Sequence, residues 1–303
     1  MRWQRGRRSD SIEDRRSSSG GGGLGGLPIP LGRGGGVVGL VLIVVVALLG
    51  GGNLVGGGAD DGTGTGSPFD QFPQTGQPAG GGSDAVPGAP DPDAELVDFM
   101  SFTIDDIQQS WTRGFQSAGR TYEKTRLVLF RSAIRSGCGS ASAATGPFYC
   151  PADRKVYIDL GFFRDLSQRF RAPGDFAQAY VLAHEVGHHV QTLLGVGEMV
   201  DRETRADPSK RNDLSIRQEL QADCLAGVWA HSTYERGILE NGDLDEGLAA
   251  AAAVGDDRIQ REASGSVNPE TWTHGSSEQR QKWFRRGFDS GNSEQCDTFS
   301  AED

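Results

Sequence analysis

The sequence predicts an α+β fold dominated by helices, and three observations predict it. Two short runs, 127–130 and 155–160, have strand character. After residue 160 the apolar residues recur with helical spacing over long stretches. Residues 53 to about 92 hold very few large apolar residues and cannot form a core. The folded part should therefore be one domain behind an N-terminal attachment.

From the N-terminus, residues 1–33 carry Arg2, Arg5, Arg7, Arg8, Arg15, Arg16 and Arg33 against Asp10, Glu13 and Asp14, a local charge of +4. The whole chain carries −11, which leaves −15 for the remainder. So acidic a body argues against a nucleic-acid partner, which needs a basic stripe to displace counterions from phosphate. Residues 34–52 hold no charge, and Val37 to Leu49 is apolar on every face. This stretch reads as a single transmembrane helix. Arginines before it place the N-terminus in the cytoplasm and the remainder outside, and no Ala-x-Ala-type site follows to mark a cleaved signal peptide. Residues 53–92 contain Gly56-Gly57-Gly58, Gly80-Gly81-Gly82 and several prolines, the composition of a flexible linker. The expected organisation is a basic cytoplasmic tail (1–33), a transmembrane helix (34–52), a linker (53–92) and an extracytoplasmic domain (93–303).

Four cysteines suit an oxidising compartment. Cys138 and Cys150 flank a small-residue segment they could close as a loop, and Cys224 and Cys296 could then tie a central helix to the C-terminus. Three pairings are possible in principle. Within the domain, Ala94 to Phe115 has helical spacing. Leu127 to Phe130 reads as a buried strand. Lys155 to Leu160 alternates, with Val156, Ile158 and Leu160 on one face, and reads as an edge strand. Helices are expected at about 161–170, 175–194, 211–236, 243–262 and 276–289.

The sharpest signal is His184-Glu185-Val186-Gly187-His188. On a helix, positions i and i+4 share a face, so both imidazoles can reach one Zn²⁺ ion with Glu185 beside the open coordination position. Catalytic zinc takes a third protein ligand. A downstream histidine is excluded, because Gln191 and Leu194 occupy the Gly and His positions of that extended motif. A glutamate on a later helix remains. Glu219 can bind the metal, with Asp223 one turn on to receive a hydrogen bond from a ligand histidine. An acidic pair at that spacing is more often a solvated helix face, so Glu219 and Asp223 gain their reading from the first motif.

These residues resemble the bacterial neutral zinc metallopeptidases of the YpfJ-like family. The resemblance rests on Phe148 to Asp153, Val156 to Asp159, His184 to His189, Gln218 to Cys224 and Thr273 to Ser277. It implies a zincin-like domain of the gluzincin class, with an active-site helix and a small sheet presenting an edge strand. In related membrane peptidases a late Thr-His-Pro-Ser segment followed by an arginine sits near the metal. Here Gly275 replaces the proline, and Arg280 keeps the spacing.

The expected chemistry is hydrolysis of a peptide or protein substrate, with zinc on His184, His188 and Glu219 and with Glu185 as general base. Substrate would lie along the edge at Val156 to Leu160. His274 should sit on a loop before a capping box of Ser276 and Gln279, as an oxyanion donor or a plain loop histidine. His189 points away from the metal face and His231 to the surface. Tyr149 and Tyr157 belong to the core. The rival reading is a membrane-tethered module that binds zinc without turnover, and an intact Glu185 speaks against it.

Overall fold

The computed structural model describes residues 1–17 and 91–301. The expected transmembrane helix at 34–52, the linker up to residue 90 and tail residues 18–33 lie outside the described residues. No described helix is long and apolar enough to cross a membrane.

The first helix, α1 (Ala94–Ser117), buries Val97, Met100, Ile104, Ile107, Trp111 and Phe115, spaced three or four apart. Next come β2 (Arg126–Phe130), a hairpin of β3 (Ala133–Ser136) and β4 (Gly139–Ser142), β5 (Phe148–Cys150) and β6 (Lys155–Asp159). The helices that follow are α2 (Gly161–Gln168), α3 (Asp175–Leu194), α4 (Val196–Ala206), α5 (Arg211–Glu235), α6 (Asp243–Ala253), α7 (Asp256–Ser264) and α8 (Ser277–Ser290). This is a mainly helical α+β domain with small sheets.

After the exposed Arg126, β2 is apolar from Leu127 to Phe130 because both of its faces are covered. Leu127 and Leu129 join Val156 and Ile158 in the main core under the helices. Val128 and Phe130 face the other way, with Phe148, Cys150 and Tyr157, under the β3–β4 hairpin. Cys138 in that hairpin is bonded to Cys150 of β5, and Cys224 of α5 to Cys296. Their separations of 12 and 72 residues give the second bond the larger effect on unfolded-chain entropy.

The structure corrects several expectations. The main sheet runs β1 (Ile12–Asp14), β2, β6, β5, so β6 is internal, paired with β2 on one side and β5 on the other. Alternation along Lys155 to Leu160 arises from two different covered faces, and the free edge on that side is β5. Helix 243–262 is two helices. It breaks at Gly255, where a Cβ would lie 2.4 Å from the Ser277 amide, so the chain entering α8 passes directly over the break. Helix α4 was not anticipated, since it buries only Val200 and Asp201.

The largest departure concerns the basic tail. β1 (Ile12–Asp14) pairs in parallel with β2, Ile12 opposite Leu127 and Asp14 opposite Leu129. Residues 1–17 are therefore part of this fold and not a separate segment. Trp3 stacks at a tilt on Phe99 of α1, 5.3 Å between ring centres, and the Met1 amino group lies 2.9 Å from Asp175 at the start of α3.

Helices α5 and α8 meet backbone to backbone. A Cβ on Gly227 would stand 2.1 Å from the Phe284 carbonyl oxygen, and one on Gly287 would stand 1.9 Å from that of Cys224. Only glycine at both positions permits this approach.

Candidate metal centre and active-site cleft

Helix α3 is apolar around most of its circumference and runs through the core, ending at Gly195 in the left-handed conformation. Glycine at 187 lets a second helix close in, because a Cβ there would lie 3.0 Å from the Ala222 carbonyl oxygen, tighter than side chains ordinarily pack. That contact brings α5 against the face carrying His184 and His188. One donor atom each from His184, His188 and Glu219 falls within 4.8 Å of the others. Glu219 Oε2 lies 3.2 Å from His184 Nε2, and Glu219 Oε1 lies 3.5 Å from His188 Nε2.

The remaining imidazole nitrogens fit a metal at this point. His184 Nδ1 donates to Asp223 Oδ1 at 2.8 Å, and His188 Nδ1 donates to Gln191 Oε1 at 2.8 Å. The Gln191 amide is itself fixed, its Nε2 donating to the Gln218 carbonyl at 2.7 Å. Both Nε2 lone pairs are thereby turned toward Glu219, the tautomer a zinc ligand requires. Burial alone would raise the pKa of Glu219, but His188 and His184 hold it well below the carboxylate range, so it is present as an anion.

Asp223 is fully buried and serves more than one partner. Besides His184 it accepts from the Tyr180 hydroxyl and, in a two-point grip, from Arg280 Nε and Nη2 at 2.8 and 3.0 Å. Arg280 comes from α8, which opens with the expected capping box of Ser276 and Gln279. Glu185 is 7% exposed and has no hydrogen-bond partner among the described residues. Burial pushes its carboxyl pKa up, toward the range of a working base.

His274 lines the same cleft. Its loop is wrapped around one carboxylate: Asp256 Oδ2 accepts from the amides of Thr273, His274 and Gly275 at 2.7, 2.6 and 3.1 Å, and Asp256 Oδ1 accepts from His274 Nδ1 at 3.1 Å. Burial would lower the pKa of His274, but Asp256 raises it above its ordinary value. With Nδ1–H committed to Asp256, only the imidazolium also carries a proton on Nε2, the nitrogen without a protein partner among the described residues. Turnover should therefore fall at alkaline pH as this proton is lost. In Asp256→Asn that fall should begin at lower pH, because the raising charge is gone. A pH profile of kcat that keeps its alkaline limb in Asp256→Asn would separate the two residues.

The cleft has a volume of about 420 Å³. Thr145 to Tyr149, the approach to β5 and its first two residues, form one wall, and Glu198 and Asp201 of α4 also line it. His189 stays out, held by Tyr149 at 3.0 Å and by the Glu123 carbonyl at 2.6 Å. His231 was expected at the surface. It is instead half-buried between helices, donating from Nδ1 to the Phe288 carbonyl at 2.6 Å. Tyr157 is in the core; Tyr149 is also buried yet reaches the cleft.

Residues 1–299 match the family described as "Putative neutral zinc metallopeptidase". The chain belongs to this family. Among its relatives, the Escherichia coli K12 protein YpfJ is 46% identical over 302 residues, 99% of each chain. Rv2575 of Mycobacterium tuberculosis is 48% identical over 193 residues, 60% of this chain and 64% of that one. No solved structure matches the chain significantly. The family match includes residues 1–17, in line with their place in the sheet.

Sequence reasoning passed over Asp256, Tyr180 and Gln191. Tyr180 had a signal, lying one turn before His184 on the same face. Asp256 had none, since its role depends on a loop 17 residues away closing over it.

Proposed function

We propose that this chain is a zinc-dependent peptidase that cleaves peptide bonds in an extended substrate. The observation that carries the reading is the convergence of two Nε2 atoms and the Glu219 carboxylate beside a buried, unpartnered Glu185. A purely structural zinc site needs no such base and is usually closed by four protein ligands. His184, His188 and Glu219 would hold the zinc, which would supply a Lewis acid for the scissile carbonyl and for water. Glu185 takes the proton of the attacking water and delivers it to the leaving amine. His274, protonated and steadied by Asp256, donates to the developing oxyanion. Asp223, itself fixed by Arg280, holds His184 in register.

Substrate backbone adds as a strand to the free edge of β5, which borders the cleft; this replaces the edge first expected at β6. The charge-free stretch 34–52 holds the protein at a membrane, and the two disulfides support an oxidising location for the domain.

The purified chain should contain about one zinc, since a site of two histidines and a glutamate holds a single ion, and Glu219→Ala should lose it. Chelation should abolish peptide cleavage while circular dichroism shows the fold retained, and added zinc should restore cleavage. Cleavage that survives complete removal of metal would overturn the reading. Loss of fold on chelation, with no cleavage at any zinc concentration, would favour the non-catalytic module.

A further inference from the structure

We propose that residues 1–17 and the zinc domain share one compartment, the N-terminal segment being a strand that docks on the open edge of β2. The backbone contacts are those of a sheet. Leu127 N donates to the Ser11 carbonyl at 2.8 Å, and Arg15 N donates to the Leu129 carbonyl at 2.8 Å. Side chains extend the contact onto α1: Ser9 Oγ donates to Asp105 Oδ1 at 2.6 Å, and Gln108 Nε2 donates to Ser11 Oγ at 2.9 Å. Lys155 of β6 reaches across β2 to Glu13 at 2.8 Å.

This docking reassigns the arginines. Arg5 and Arg8 pair with Asp98 of α1, and Arg16 pairs with Asp14, Asp91 and Asp93. Three of the arginines that would orient a membrane span, Arg5, Arg8 and Arg16, are thus matched to carboxylates of the domain itself. Positive-inside orientation needs its arginines to stay in the cytoplasm, whereas these three are held against α1 and the start of the zinc domain.

Arg16, near the end of the N-terminal segment, and Asp91, where the described domain begins, are joined by an ion pair of 2.8 Å. Both ends of the intervening stretch are therefore at one point on one side. A charge-free run of 19 residues suffices for one crossing and is too short for two. The single crossing with a cytoplasmic N-terminus, expected from sequence, would pull β1 out of the sheet. Attachment from one side, with no net crossing, keeps it there. None of this depends on the peptidase reading, and the test reads location without turnover.

The test uses the full-length chain expressed in Escherichia coli, with Arg7→Cys and Lys210→Cys as separate variants. Both positions are exposed, and the native cysteines are disulfide-bonded. A membrane-impermeant maleimide is applied to cells with an intact inner membrane and a permeabilised outer one. The expected result is equal labelling of the two variants, both before or both only after lysis. Labelling of one before lysis and the other only after it overturns the proposal. As a second measurement, Ser9→Cys combined with Asp105→Cys should give a disulfide-linked peptide pair by mass spectrometry. Absence of that pair, with both thiols free and the protein folded, also overturns it.

Discussion

Glu185→Gln is expected to keep its zinc and its melting temperature while losing turnover by a factor of about 10² to 10⁴, roughly 3–5 kcal/mol of transition-state stabilisation. The side chain makes no hydrogen bond among the described residues and is not one of the three converging ligands, so an amide of the same shape disturbs neither metal nor packing. It relieves the desolvation of a buried acid, and stability should if anything rise slightly. Metal analysis, a melting curve and a peptide-cleavage assay on one preparation decide the matter. Wild-type cleavage with zinc in place would exclude Glu185 as the base.

Asp223→Ala should have the largest effect on folding of any change at the site. From spacing alone Asp223 is an orienting partner of one histidine, whose loss typically weakens metal binding tenfold to a hundredfold. In the structure it is also the counter-charge of Arg280, which is 3% exposed. Removing it strands a buried guanidinium, at a cost of about 3–5 kcal/mol. Urea denaturation should show this loss in the metal-free protein as well as in the zinc-bound one. Asp223→Ala combined with Arg280→Met should recover much of the stability without recovering tight zinc binding. A metal-free Asp223→Ala protein as stable as wild type would show that Arg280 finds another partner.

The metal centre was legible because helical spacing turns a five-residue pattern into a geometry. His184, His188 and Glu185 need only a helix, and Glu219 with Asp223 needs only a second helix crossing the first. What could not be read is what depends on chain segments meeting from far apart. Asp256 has no local pattern and acquires its role when residues 273–275 close over it. The edge of the sheet was misassigned because alternation at Lys155 to Leu160 reports burial of side chains, not which strand lies beside which. The ion pairs of Arg5, Arg8 and Arg16 could not be read for a related reason: charge along a sequence does not disclose its partners, and Asp91, Asp93 and Asp98 lie far along the chain.

The contact of Gly227 with Gly287 bears on how the cleft can adapt. No layer of side chains separates α5 from α8, so there is nothing between them to compress or reshuffle, and the Cys224–Cys296 bond clamps α5 beside that contact. Glu219 and Arg280 therefore ride on what is mechanically one body. Any adaptation of the cleft must come from the opposite rim, where α4 buries only two side chains and the turn at 143–147 is mostly half-buried. In amide hydrogen exchange the glycine-apposed turns of α5 and α8 should open only with global unfolding, whereas α4 should exchange through small local excursions. The rim at α4 can then adjust while the paired helices that carry Glu219 and Arg280 stay fixed.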